Sequence, residues 1–137
     1  VTVNTLRHDL ITQIGRYRTV QVFIGGSIPP KPQEVSDKMA GLLRWYSSHK
    51  NDLHPLILAS HFHCEFEKIH PFVDGNGRVG RLLMNFILNK NKLPMINIPK
   101  KKRFKYYGVL QTAQYKKNLK PFVKFLIQIL KKDNLRF

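Results

Sequence analysis

The sequence predicts a mainly α-helical fold carrying one short β-hairpin, and three observations predict it. Apolar residues recur at helical spacing in four separate stretches; strand-like alternation is confined to residues 19–29, around Gly25-Gly26; and no internal repeat or long linker divides the chain. With 137 residues and 42% apolar content, one modest core is what the chain can bury, so residues 1–137 read as one domain.

The elements follow in order. Val20 to Phe23 alternates weakly and meets Gly25-Gly26, a suitable hairpin turn, and Pro29, Pro30 and Pro32 end the strand pair. Val35, Met39, Leu42, Leu43 and Tyr46 then mark one face of a first helix. Ala59, Phe62, Phe66 and Ile69 mark a second, which ends at His70. Val79, Leu82, Leu83, Phe86 and Ile87 give a third, running to Asn89-Lys90-Asn91. Phe122, Phe125, Leu126 and Ile129 close the chain as a helix, with Pro121 suited to its first position.

Composition narrows the function classes. There is no run of 18 apolar residues, hence no expected membrane span. Cys64 is the single cysteine and has no internal disulfide partner, which fits a reducing compartment and a cytoplasmic location. The first residue is Val rather than Met, so the chain reads either as a fragment of a longer protein with an N-terminal region or as a processed form that has lost a targeting segment. The formal net charge is +16, and from Gly75 through Lys132 fifteen Lys and Arg occur without one acidic residue. Such a field draws anions, whether ATP, an acidic protein or nucleic acid. The run Lys100-Lys101-Lys102-Arg103 with Phe104, Tyr106 and Tyr107 would suit a phosphate backbone. No readable nucleic-acid motif accompanies it, so a solvated basic face is preferred to a nucleic-acid-binding module. His61, His63 and Cys64 have no zinc-ligand spacing; His63 reads as a packed or hydrogen-bonded helix residue, and Glu65 and Glu67 as solvent contacts.

The chemistry concentrates in His70-Pro71-Phe72-Val73-Asp74-Gly75-Asn76-Gly77-Arg78-Val79-Gly80-Arg81. Gly75 and Gly77 let the backbone turn sharply and approach a ligand closely. The loop feeds a helix, whose first N–H groups and positive dipole end form an anion site. Arg78 and Arg81, three apart, share one face where two guanidiniums can grip phosphate oxygens. Asp74 is the loop's carboxylate and would sit beside bound phosphates, a position suited to Mg²⁺. His70 titrates near neutrality and can act as a general base.

This string, His-Pro-Phe-x-Asp-Gly-Asn-Gly-Arg-x-x-Arg, resembles the signature of the Fic family, whose members mostly transfer AMP from ATP to a hydroxyl of a target protein. The resemblance extends over nearly the whole chain: Gly15-Arg16-Tyr17-Arg18, Val20 to Ser27 and Pro29-Pro30 resemble the family's flap region, Tyr106-Tyr107 with Leu110 its nucleoside-binding segment, and Lys120-Pro121-Phe122 its closing helix. It implies a Fic-type helical bundle with a hairpin flap, and a protein adenylyltransferase using Mg²⁺ and ATP. His70 would deprotonate a Ser, Thr or Tyr hydroxyl that attacks the α-phosphate and expels pyrophosphate. Asp74 would hold Mg²⁺; Asn76 with Gly75 and Gly77 would cradle the phosphoryl oxygens; Arg78 would hold the β- and γ-phosphates and Arg81 the γ-phosphate. Tyr106, Tyr107 and Leu110 would border adenosine. Val20, Gln21, Val22, Phe23 and Ile24 would accept the target segment by strand addition.

Two departures from the family pattern are visible. Gln114 stands where Asn is common, followed by Lys116-Lys117-Asn118 in place of Gly-Asp, which bears on the choice of base. The inhibitory string of many members, Ser or Thr, three residues, Glu, Gly or Asn, then Asn, does not occur in these 137 residues. An inhibitory helix contacting Arg81 would then come from outside the chain or from a partner, or be lacking; a second copy of the chain is a further candidate partner. Relatives that transfer UMP or phosphocholine, or remove AMP, define the alternatives at the same site. The Doc branch, a kinase, carries Lys in the stretch that is an intact Gly77-Arg78 here, which argues against γ-phosphate transfer.

Overall fold

The computed structural model describes residues 15–134. His8, for which the sequence offers no partner, lies outside the described residues. Helix α1 spans Pro32–His49, α2 Pro55–Ile69 and α3 Asn76–Lys90; a 3₁₀ turn at Lys100–Lys102 leads into α4, Arg103–Tyr115, and α5 is Lys120–Asn134. Pro32 and Pro55 each fall in a first turn, where a missing N–H leaves no bond unmade. The His54 ring caps α2 by accepting from the Leu56 N–H at 3.1 Å.

α2 is the axis of the bundle and packs against α1, α3, α4 and α5. Its buried residues include Leu56, Leu58, Phe62, Cys64, Phe66 and Ile69, on more than one face, as a central helix requires. Around it, α1 buries Val35, Met39 and Leu42, and α5 buries Phe122, Phe125, Leu126 and Ile129. The mainly helical architecture of the sequence reading holds.

Three details differ. On α3 the buried face is Gly80, Met84, Ile87 and Leu88, while Leu82 and Phe86 are exposed, Leu82 at 69%. The stripe read from spacing alone is rotated because α3 meets a single neighbour, α2, and the apolar run is wider than that contact. Leu43 of α1 is exposed in the same way. The hairpin over residues 19–29 reduces to one antiparallel bridge, Ile24 to Ser27, closed around Gly25-Gly26 with Gly26 at φ 83°. Pro29 and Pro30 lack N–H donors, so the return arm has no ladder to extend. The Gln21 amide ties the arms instead, donating to the carbonyls of Val22 at 3.2 Å and Pro29 at 3.0 Å.

The flap region is anchored by one side chain. Arg18 is 2% exposed, and its guanidinium donates to four backbone carbonyls: His70 at 2.7 Å, Pro30 at 2.6 Å, Val20 at 3.2 Å and Ile69 at 3.2 Å. Its own N–H donates to the Pro71 carbonyl at 2.8 Å. Arg18 thereby joins the segment before the flap, the base of the flap and the turn that carries His70. Replacing it by Met leaves these carbonyls buried without a donor, at a cost of roughly 3 kcal/mol or more. Arg18→Met should therefore lower the melting temperature by on the order of 10 °C, measured by calorimetry.

Candidate active site

The turn from α2 to α3 is built from two left-handed residues. His70 ends α2 at φ 52°, ψ 63°, its N–H donating to the Phe66 carbonyl at 2.9 Å. Gly75 precedes α3 at φ 81°. The left-handed turn at His70 swings the chain out of the helix, and glycine makes the second reversal without a Cβ penalty. Between them, Asn76 locks the loop: its side chain accepts from the Phe72 N–H at 2.8 Å and donates to the Phe72 carbonyl at 2.8 Å. Asn76 is buried, and with both side-chain polar atoms committed it offers an anion its backbone N–H alone.

The first helical bond of α3 runs from the Val79 N–H to the Gly75 carbonyl, 3.0 Å, so the N–H groups of the preceding three residues stay free of intrahelical partners. They lie at a cavity of about 300 Å³ lined by His70, Val73, Asp74, Gly75, Asn76, Gly77, Arg78 and Arg81. The loop residues named from the sequence thus converge on one space. Arg81 folds over Gly77, with Nη1 3.1 Å from where a Cβ at that position would stand. Arg78 lies 3.8 Å from Asp74 in an exposed i,i+4 pair. The Asp74 carboxylate is 86% exposed, and a single open carboxylate beside a phosphate site suits Mg²⁺, which keeps water and takes phosphate oxygens as ligands. Among the described residues no group of three His, Cys, Asp or Glu gathers to hold a metal by protein alone.

Electrostatics set the protonation state of His70. Burial lowers the His70 pKa below its ordinary 6.5; the backbone of Glu67 works against this and the Arg18 charge adds to it. The imidazole is accordingly neutral at pH 7. Its Nδ1 is enclosed without a hydrogen-bond partner, and the residue borders the cavity.

The remaining site residues lie outside this cavity. Tyr106 is buried in the bundle, and its hydroxyl is 2.6 Å from His63 Nε2, so its ring is largely withdrawn from a ligand. Tyr107, on the same helix, is 54% exposed and Leu110 is half-buried. Gln114 is buried and joins α4 to α2 by donating to the Cys64 carbonyl at 3.0 Å. On the flap Phe23 is 78% exposed, Val20 is exposed, and Gln21 and Val22 are half-buried. Phe23, Ile24, Gly26, Ser27 and Ile28 border a groove that reaches Tyr115 of α4.

Sequence reasoning missed two residues. Arg18 was read as part of the flap motif but not as its anchor, and Glu67 was read as a solvent contact. The structure corrects the latter: Glu67 Oε1 is buried against Gly80, because α3 crosses α2 at that level. The signal was the absence of a side chain at residue 80, thirteen positions away.

The description of the Fic/DOC family matches residues 2–88. The protein adenylyltransferases Fic of Drosophila melanogaster and Drosophila persimilis are 43% and 41% identical to the chain over 119 residues, 86% of its length. The chain spans 24% and 23% of these curated relatives. Among solved structures, Fic-1 (residues 134–508) of C. elegans superposes with a TM-score of 0.80 at 29% identity, covering 92% of this chain and 37% of that one. A Fic-domain protein of Bacteroides thetaiotaomicron gives 0.77 at 31% identity, covering 85% and 51%. With the loop, the bundle and all three comparisons in agreement, the chain belongs to the Fic/DOC family.

Proposed function

We propose that this chain transfers AMP from Mg²⁺-ATP to a Ser, Thr or Tyr hydroxyl of a target protein and releases pyrophosphate. The observation that carries the reading is the convergence of a neutral histidine, a free helix N-terminus and two arginines on one cavity.

In this mechanism His70 Nε2 accepts the hydroxyl proton as the oxygen attacks the α-phosphate in line; the P–O bond to the β-phosphate breaks and pyrophosphate leaves. The N–H groups at the start of α3 meet charge that develops on the phosphoryl oxygens, and because Asn76 fixes the loop beforehand, little reorganisation accompanies the reaction. Arg78 and Arg81 hold the β- and γ-phosphates; Arg78 exchanges its exposed pairing with Asp74 for phosphate. When bound, Mg²⁺ held by Asp74 with phosphate oxygens and water would neutralise phosphate charge. Tyr107 and Leu110 border the nucleoside, with buried Tyr106 supporting them from beneath. A target segment docks in extended form along residues 20–24, which the exposed Phe23 and the lack of a strand ladder leave accessible.

The test is transfer from ATP labelled at the α-phosphate or, separately, at the γ-phosphate to lysate proteins. Label should pass from the α position alone, and His70→Ala should lower the rate by roughly 100-fold or more; transfer from the γ position would make the chain a kinase. The acid limb of the rate should have its midpoint below 6.5, since the base works when neutral and its folded pKa is depressed. Arg78→Ala should raise KM for ATP by roughly tenfold with a smaller change in kcat, read from initial rates.

A further inference from the structure

Behind the phosphate loop lies a group of buried and half-buried polar side chains, of which the mechanism above places Arg81 alone on the nucleotide. Glu67 stands one turn before His70 on α2, and its Oε1 is enclosed without a hydrogen-bond partner. A Cβ on Gly80 would collide with that oxygen, so the space opposite belongs to the carboxyl. The groups around it are His63 and Cys64 on α2, Arg81 on α3 and Tyr106 on α4. Burial drives His63 down to about 4, and it raises the Cys64 thiol and the Tyr106 phenol, so all three are neutral at pH 7. Arg81 is the charge left to act on Glu67. Burial lifts the Glu67 carboxyl to about 7 while Arg81 pulls it back down.

Arg81 thus stands between two anion positions. In front is the phosphate cavity, toward which it folds over Gly77; behind is Glu67, with which it forms no ion pair. We propose that Glu67 is a positioning residue for Arg81: the carboxyl seated in the space left by Gly80 competes from behind the loop with nucleotide phosphate for the guanidinium. The inference rests on the reading that Arg81 grips ATP. Ionised Glu67 draws on the charge that phosphate needs, and phosphate on Arg81 disfavours ionised Glu67 in equal measure, because coupling between sites is reciprocal. ATP binding therefore takes up a proton at Glu67, and the affinity falls as pH rises through neutrality.

The chain contains three glutamates, Glu34, Glu65 and Glu67, so carboxyl ¹³C labelling of glutamate gives three resonances. Glu67→Gln identifies that of Glu67, with Glu34→Gln and Glu65→Gln assigning it by elimination if the first variant fails to fold. Mg²⁺-ATP should move the Glu67 midpoint upward. Between pH 6 and 8.5 the dissociation constant for Mg²⁺-ATP should rise by roughly fivefold more in the native chain than in Glu67→Gln, with KM following and kcat unchanged. ATP's own titration is common to both proteins and cancels in the comparison. An unmoved midpoint, or parallel affinity profiles in the two proteins, would overturn the inference with the functional reading intact. Absence of ATP binding at every pH, with Glu67 still titrating, would overturn both and identify the functional reading as the cause.

Discussion

The arrangement of this site depends on the buried guanidinium of Arg18. Four carbonyls from three segments share its donors, two of them from Ile69 and His70, the last residues before the loop. Carbonyls at a helix C-terminus have no partner within the helix and need one from elsewhere. Arg18 supplies it, and its planar array of five N–H groups can serve diverging acceptors that the point charge of lysine could not. One residue therefore ties the start of the flap to the end of α2 and to the backbone that carries His70.

From that anchor the loop is held mostly by backbone. Asn76 closes it on Phe72 through paired hydrogen bonds, and Asn85 performs a similar closure further along α3, bonding the N–H of Ile96 at 2.7 Å and its carbonyl at 3.0 Å. A buried amide that satisfies both groups of another residue mimics a sheet pair without needing a strand. Such closure fixes the backbone on either side of the α3 N-terminus while its first N–H groups keep no partner within the helix. The flap is built on the opposite principle: it has one bridge, prolines in its return arm and an exposed aromatic, so little backbone pairing holds it.

How much of this was legible in the sequence depended on distance along the chain. The loop from His70 to Arg81 could be read because its glycines, arginines and histidine act on neighbours within a turn or two. The helices could be located from their spacing, but not always their inward faces, since Leu82 and Phe86 lie beyond the reach of the neighbour that covers Met84 and Ile87. Tyr106 and Tyr107 are adjacent in sequence and alike in type, and the packing of α4 against α2 and α5 decides that one is buried and the other exposed. Arg18 serves carbonyls up to 52 positions away, and the burial of Glu67 requires that α3 present no side chain opposite it. Neither fact has a local signature.

The space shared by Glu67 and Gly80 also bears on how the loop can vary. The two positions between Arg78 and Arg81 are unspecified in the motif, as though any residue could stand there. In this chain position 80 is restricted by a side chain from another helix, because even the methyl of alanine would need the volume that the carboxyl fills. A side chain at 80 would have to displace the end of the Glu67 carboxyl and press on the Phe66 ring, so the two positions are coupled: a shorter apolar residue at 67 would make room for a side chain at 80. Paired substitution at these two positions is a mutational route by which the underside of the loop could be rebuilt while His70, Arg78 and the loop glycines keep their places.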